Sequence, residues 1–323
     1  MRRREFISLL GGTAAAWPLI ARAERIARVG YLGLTSASAV QASRIEAFRS
    51  GLRNLGYVEG KNIEIEFRFA GGDNDRLPGL VAELIGLNVD VIVAYATGIP
   101  AARRVTTTIP IVMATFGDAV ATGIVANLAH PGGNITGSTF FSPELTAKRL
   151  ELLKEAVPSL NRVGVLLIRD NEMNGPSLEV MEGTAKALGV GLQSFEARGP
   201  ADFERAFSTW TDMKIGAVVV GDHAFLVTNT DLIAALAAKH RLPSIGPLEL
   251  AASGGLMAYG VNFSDMFRRA AVFVDKILKG AKPGEIPVEQ AGKIQTIVNI
   301  RTAKSLGIEV PTSLLLRADE VIE

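Results

Sequence analysis

Residues 27–33, Ala-Arg-Val-Gly-Tyr-Leu-Gly, and residues 162–168, Arg-Val-Gly-Val-Leu-Leu-Ile, are two short apolar runs that decide the fold class. The first run is followed by apolar residues at helical spacing, among them Ile45, Phe48 and Leu52. Short apolar runs that alternate with amphipathic helical stretches are typical of parallel sheets covered by helices. The sequence therefore predicts an α/β protein.

The same order of predicted strands and helices occurs twice along the chain. Corresponding positions, such as Val29 with Val163 and Pro110 with Pro243, lie about 130 residues apart. A chain of 323 residues is also longer than one hydrophobic core usually organises. We therefore predict two lobes, each built on one sheet.

The boundaries of the two lobes follow from the positions of the predicted elements. The first lobe is expected to contain residues 24–141 plus roughly 262–282, and the second residues 142–261 plus roughly 283–323, with a last strand at 296–300. A chain that crosses between lobes several times forms a hinge of several strands, which permits closing without letting the lobes drift.

The first 23 residues have the three parts of an export signal. Basic residues 2–4 precede an apolar stretch over residues 6–20, and Ala21-Arg22-Ala23 fits an A-x-A cleavage site. Residues 3–7, Arg-Arg-Glu-Phe-Ile, are similar to the twin-arginine signal, whose cargo is exported already folded. We therefore expect a protein of the periplasm that is soluble, with no stable membrane insertion, after cleavage near Glu24.

Composition argues against several function classes. The 34 basic and 33 acidic residues are spread along the chain, which does not fit nucleic-acid binding. The absence of cysteine excludes disulfides, thiolate metal sites and thiol nucleophiles. No phosphate loop, dinucleotide glycine signature or nucleophile elbow is present, so we expect a binding protein without cofactor or metal rather than an enzyme.

Several short motifs resemble those of ABC transporter substrate-binding proteins, in particular the tryptophan-type group. They are Val29-Gly30-Tyr31-Leu32, the stretch Gly51 to Tyr57, the turn Gly60-Lys61-Asn62-Ile63, Pro110-Ile111-Val112, the turn from Asp118 to Gly123, the tail from Arg268 to Lys293, and the stretch from Asn299 to Gly307. The resemblance covers essentially the whole chain after the signal.

This resemblance implies the type I periplasmic-binding fold, in which two Rossmann-like lobes hold a ligand between them. It also implies delivery of a small polar molecule, an amino acid or a related organic acid, to a membrane permease, by a protein expected to be a monomer. The alternatives are a ligand-sensing periplasmic receptor and an exported α/β enzyme. A shared fold alone does not decide among these functions.

Ligands of open parallel sheets bind beyond the carboxyl ends of the strands, where helix N-termini offer unpaired N–H groups. This rule selects the following candidates from the two lobes: Thr35, Ser36, Thr97, Gly98, Phe116, Asp118, Asn174, Ser177, Asp222, His223 and Tyr259.

Each candidate has a functional and a structural interpretation. Thr97 and Gly98, at a predicted helix start, suit a ligand carboxylate, or else Thr97 simply caps that helix. Asp118 and Asp222 could each take a ligand ammonium group, or else cap a helix or fix a turn. Phe116 and Tyr259 could stack on a ligand or pack in a core. His223 is expected to be a hydrogen-bonded loop residue rather than a metal ligand.

Overall fold

The computed structural model describes residues 26–35, 39–171 and 173–323, so the expected signal over residues 1–23 lies outside the described residues. The strands of the first sheet are β1 (Ala27–Gly33), β2 (Ile63–Phe69), β3 (Val91–Tyr95), β4 (Ile111–Phe116), β5 (Ile135–Thr139) and β11 (Glu289–Gln290). They lie in the order β11-β5-β4-β3-β1-β2, and every pairing is parallel.

The strands of the second sheet are β6 (Arg162–Ile168), β7 (Gly191–Ala197), β8 (Ala217–Val220), β9 (Ser244–Gly246), β10 (Met257–Val261), β12 (Ile294–Asn299) and β13 (Glu320–Ile322). Their order is β13-β12-β10-β9-β8-β6-β7, with only the β10–β12 pair antiparallel among the described residues. The two runs that decided the fold class are confirmed as β1 and β6 with the expected bounds.

Helices cover both sheets. The helices of the first lobe are α1 (Ala39–Asn54), α2 (Leu77–Gly86), α3 (Gly98–Val105) and α10 (Phe263–Leu278). Those of the second lobe are α4 (Ser142–Ala156), α5 (Asn174–Leu188), α6 (Ala201–Asp212), α7 (Ala224–Val227), α8 (Thr230–Lys239), α9 (Leu248–Ala252), α11 (Ile300–Leu306) and α12 (Thr312–Arg317). The helix stop expected at Gly189 is confirmed, because this glycine forms the left-handed C-cap of α5.

The chain crosses between the two sheets three times, between β5 and α4, between β10 and α10, and between β11 and β12. The third crossing differs from the expected boundary near 283. Glu289 pairs with Ser138 of β5, and Val288 is buried in a core of the first lobe, so this lobe extends to β11. The expectation that the last strand is 296–300 is also wrong, because β13 follows it as an edge strand.

One glycine is required by close packing of the first sheet. Gly137 of β5 has a φ of +135°, and a Cβ built there would lie 2.2 Å from the carbonyl oxygen of Met113 in β4. Only glycine adopts this backbone conformation readily and permits so close an approach. The strand β5 was not identified from the sequence pattern. It requires Gly137, although glycine is unfavourable inside most strands.

Candidate functional site

A cavity of about 470 Å³ lies between the lobes, at the carboxyl ends of the strands. Its first-lobe wall includes Phe116, and its second-lobe wall includes Met173 and Val227. Phe140 and Phe263, which adjoin two of the chain crossings, close the hinge side. The rest of the lining includes charged side chains of both signs, namely Arg44, Asp75, Arg104, Asp170 and Asp222. A cavity of this size that combines apolar walls with polar groups is typical of a small-molecule site.

A backbone irregularity shapes the first-lobe wall. The register of the ladder shifts between Ala94 and Tyr95 on β3, and between Met113 and Phe116 on β4. Such shifts turn side chains away from the regular alternation of a strand. As a result Tyr95, Thr115 and Phe116 all line the cavity.

Tyr95 belongs to a buried hydrogen-bond network behind the wall. Its hydroxyl donates to Oε1 of Gln41 at 3.0 Å, and Nε2 of Gln41 donates to the hydroxyl of Tyr31 at 2.9 Å. Burial raises the pKa of Tyr95 and raises the pKa of Tyr31 well above its usual value. Both phenols therefore remain neutral at physiological pH, and the network fixes the ring of Tyr95.

Thr97 lines the cavity, but its hydroxyl is already used as a donor. It donates to Oδ1 of Asn74 at 2.7 Å, so Thr97 occupies the N-cap position of α3 without a side-chain hydrogen bond to that helix. A hydroxyl that donates its proton to a neighbour can only accept from a ligand. Thr97 thus suits an N–H group of a ligand better than the carboxylate that the sequence suggested.

Gly98 does not face the cavity. It is buried at the start of α3, and a Cβ added there would lie 3.5 Å from a methyl carbon of Leu32. The expectation that this glycine makes room for a ligand is therefore corrected, because the space beside it belongs to the core of the first lobe.

Asp222 lines the cavity at the end of β8, yet its charge is paired with Arg149 of α4. Nη2 of Arg149 donates to Oδ1 at 2.7 Å, and Nη1 donates to Oδ2 at 3.0 Å. The side chains are 0% and 2% exposed. Arg149 also donates to the carbonyls of Val220 and Tyr259, so it joins the end of β8 to the middle of β10. The expectation that Asp222 awaits a ligand ammonium group is therefore corrected, because a buried guanidinium already neutralises it.

His223 lines the cavity and caps α7. Its Nδ1 accepts a hydrogen bond from the backbone N–H of Phe225 at 3.1 Å. Burial lowers the pKa of His223 from 6.5 to about 4, so the ring is neutral at physiological pH. Since Nδ1 is the acceptor, the proton of the neutral ring is on Nε2, which makes His223 a hydrogen-bond donor toward a ligand.

The remaining candidates among the described residues do not line the cavity. Asp118 accepts from the N–H groups of Val120 and Ala121, which fixes a turn. Asn174 is buried and donates to Glu196 and to the carbonyl of Ile168. Thr35 is buried, with its Oγ1 3.5 Å from the hydroxyl of Tyr95, and Ser177 is buried on α5. Tyr259 packs against two apolar clusters, one in the second lobe and one at the hinge. Ser36 lies outside the described residues.

Sequence reasoning missed the buried cations of this region. Arg44, on α1 of the first lobe, lines the cavity, and its Nη2 donates to Oε1 of Glu249, on α9 of the second lobe, at 2.9 Å. Arg149 was missed as well. Both arginines lie in ordinary amphipathic helices, and helical periodicity does not show which buried residues of a helix border a cleft. Within the described part of the chain no group of three His, Asp or Glu residues is placed to hold a metal ion.

The family is decided by comparison with known proteins. The model of the ABC transporter substrate binding protein family matches residues 35–322. The chain belongs to this family. Its members are solute-binding proteins rather than enzymes, and the resemblance seen in the sequence is confirmed. Residues 26–35, 39–171 and 173–323 include no helix that is both long and apolar enough to cross a membrane.

Two known proteins are similar to this chain, one in sequence and one in structure. The tyrosine-binding protein of Clostridioides difficile is 26% identical over 267 residues, which are 82% of this chain and 76% of that protein. The ABC domain of Streptococcus pneumoniae, solved in complex with L-Trp, is 23% identical with a TM-score of 0.84 over 92% of this chain and 99% of that one. The type I periplasmic-binding fold is thereby confirmed.

A third similar structure is the ligand-free, open form of a substrate-binding protein with adhesive properties from Clostridium difficile. It is 24% identical, covers 92% of this chain and 99% of that chain, and has a TM-score of 0.66.

Proposed function

We propose that this protein is the periplasmic solute-binding component of an ABC importer, and that it binds an amino acid or a related organic acid in the cavity between its lobes. The observation that supports this most directly is the cavity itself, which both lobes line and which combines apolar walls with polar and charged side chains. Binding in such a cleft needs only a higher affinity for the closed state, so no turnover is required.

The walls favour a solute with an apolar or ring-shaped side chain. Phe116, Phe140 and Phe263 offer aromatic surface, on which rings stack favourably. The polar groups can orient the solute's polar end, because His223 donates through Nε2 and Thr97 accepts through its hydroxyl oxygen. Arg44 and Asp222 each have an internal ion-pair partner, and the lining also carries Arg104 together with the acids Asp75 and Asp170. Because charges of both signs face the cavity, a zwitterionic solute fits better than one with a single strong charge. Tyrosine, which the Clostridioides difficile relative is named for binding, is a suitable first probe.

A thermal-shift screen of protein lacking residues 1–23 tests the binding proposal. One class among amino acids, small organic acids and aromatic acids should raise the melting temperature, because a ligand at 100 times its dissociation constant stabilises by about 2.7 kcal/mol. Incubation with the best ligand should leave it chemically unchanged. Formation of a product would instead support the enzyme alternative.

Export is tested separately. Residues 1–23, fused to a reporter that works only if it folds before translocation, should direct it to the periplasm, and replacing Arg3 and Arg4 with lysine should stop this. Normal export of the double-lysine form would remove the twin-arginine claim and leave the periplasmic claim standing.

A further inference from the structure

One buried ion pair connects the two lobes beside the cavity. Arg44 lies on α1 of the first lobe and Glu249 on α9 of the second, with Nη2 and Oε1 2.9 Å apart. Their side chains are 3% and 23% exposed. Opening the lobes about the hinge would separate these two residues, because each belongs to a different lobe.

Only one of the two hydrogen bonds that an arginine and a carboxylate can form side by side is made between Arg44 and Glu249. Nε of Arg44 and Oε2 of Glu249 are both buried without a hydrogen-bond partner among the described residues. These are the two atoms that form the second bond of a side-on arginine–carboxylate pair. Buried polar groups in native proteins are nearly always satisfied, so two complementary unpaired atoms in one ion pair need an explanation.

Other pairs in the chain show the completed geometry. In the Arg49–Glu59 pair, Nε lies 2.8 Å from Oε2 and Nη2 lies 3.1 Å from Oε1. In the Arg269–Glu289 pair both distances are 2.6 Å. Each of these pairs lies within the first lobe. Pairs with a single bond also occur within the first lobe, as in Arg28–Glu64 and Arg53–Glu46, but there the side chains are exposed. Among the described ion pairs, Arg44–Glu249 is the one that joins separate lobes and leaves both unpaired atoms buried.

Arg44 is held firmly on its own side. The carbon at the centre of its guanidinium lies 4.9 Å from the ring centroid of Phe263 and 5.7 Å from that of Phe267. Both rings belong to α10 of the first lobe. Stacking on two aromatic faces fixes a guanidinium even when a carboxylate leaves it. Movement of the second lobe thus decides whether Glu249 reaches it.

We propose that Arg44 and Glu249 form an interlobe latch, which gains its second hydrogen bond when the lobes close fully on a ligand and loses both bonds when they open. Each bond made favours the closed arrangement, and the apparent affinity for any ligand rises with the closed fraction. The latch rests on the proposed function in so far as the ligand binds in the closed cleft.

Glu249→Gln tests the latch without touching the cavity, because Glu249 does not line it whereas Arg44 does. The matched control is Glu59→Gln. Its partner Arg49 also lies on α1, but both residues of this pair belong to the first lobe. Since the chain has no cysteine, labels can be attached at Ala82→Cys on α2 and Ala187→Cys on α5, both exposed. Their separation reports lobe opening by fluorescence transfer or spin-label distance.

In ligand-free protein, Glu249→Gln should shift the distance distribution toward longer separations, and Glu59→Gln should not. Glu249→Gln should also raise the dissociation constants of L-tyrosine and L-tryptophan by one common factor, about 3- to 10-fold for a lost hydrogen bond. An unchanged distance distribution overturns the latch, as does a change confined to one of the two ligands. If neither amino acid binds the parent protein, aromatic amino acids are excluded as solutes. The distances measured without ligand then still test the latch by themselves.

Discussion

Removing the carboxylate of Asp222 should destabilise the second lobe strongly. The Arg149 guanidinium, whose side chain is 0% exposed, would then remain buried with no counter-charge. Two bonds, at 2.7 and 3.0 Å, would be lost, while those to the carbonyls of Val220 and Tyr259 remain. Breaking one side of a buried pair typically costs about 3–5 kcal/mol, so we expect Asp222→Ala to lose stability in that range.

The double variant Arg149→Met with Asp222→Ala should be more stable than Asp222→Ala alone, because it removes the stranded charge. Urea unfolding can be followed by the fluorescence of Trp210, which is buried in the second lobe and is the only tryptophan beyond residue 23. Glu155→Ala is the control, since it breaks a half-exposed pair with Arg317 in the same lobe and should cost less than about 1 kcal/mol. Equal midpoints for Asp222→Ala and the parent protein would refute the reasoning, and so would a double variant that loses the sum of the single losses.

Three further outcomes follow from single side chains. The free energy of unfolding should fall as pH is lowered from 6.5 toward about 4, because His223 takes up a proton in the unfolded protein but stays neutral in the folded one. The pKa difference corresponds to about 3 kcal/mol. Urea titrations of His223→Gln should lack this loss of stability. Gly137→Ala should yield little folded protein by circular dichroism, because its methyl would collide with the backbone of Met113, whereas Gly183→Ala on exposed α5 should be neutral or stabilising. Gly98→Ala should leave melting temperature and ligand affinity nearly unchanged, because the added methyl meets only Leu32 at ordinary contact distance, and a large loss of affinity would restore Gly98 to the site.

Much of the fold could be predicted because its signals are local. The apolar runs of β1 and β6 and the glycine stop at Gly189 each act within a few residues. The strand β5 was missed because Gly137 interrupts it and Ile135 is its only aliphatic residue, and β13 because it is only three residues long. The position of the third crossing depends on β11 pairing with β5, a contact between residues about 150 positions apart, which no local pattern encodes.

The site was predicted less well than the fold. The strand-end rule led to Thr97, Phe116, Asp222 and His223, all of which line the cavity. It could not tell which strand-end side chains turn inward, since that depends on the register shifts of β3 and β4. Nor could it find the buried partner of Asp222, because Arg149 lies 73 positions away on a helix.

The central claim, that a solute binds between the lobes, is tested most directly by calorimetric titration of three proteins with the solute found in the screen. Gly117, which lines the cavity from the first lobe, would place a Cβ 3.4 Å from Met173 of the second lobe, so Gly117→Trp should prop the lobes apart. Gly183→Trp, with no atom within 4 Å of its added Cβ, is the matched control on an exposed helix face. We predict one-to-one binding by the parent protein and by Gly183→Trp, and none by Gly117→Trp. Binding of the solute by Gly117→Trp with the affinity of the parent protein would contradict the account.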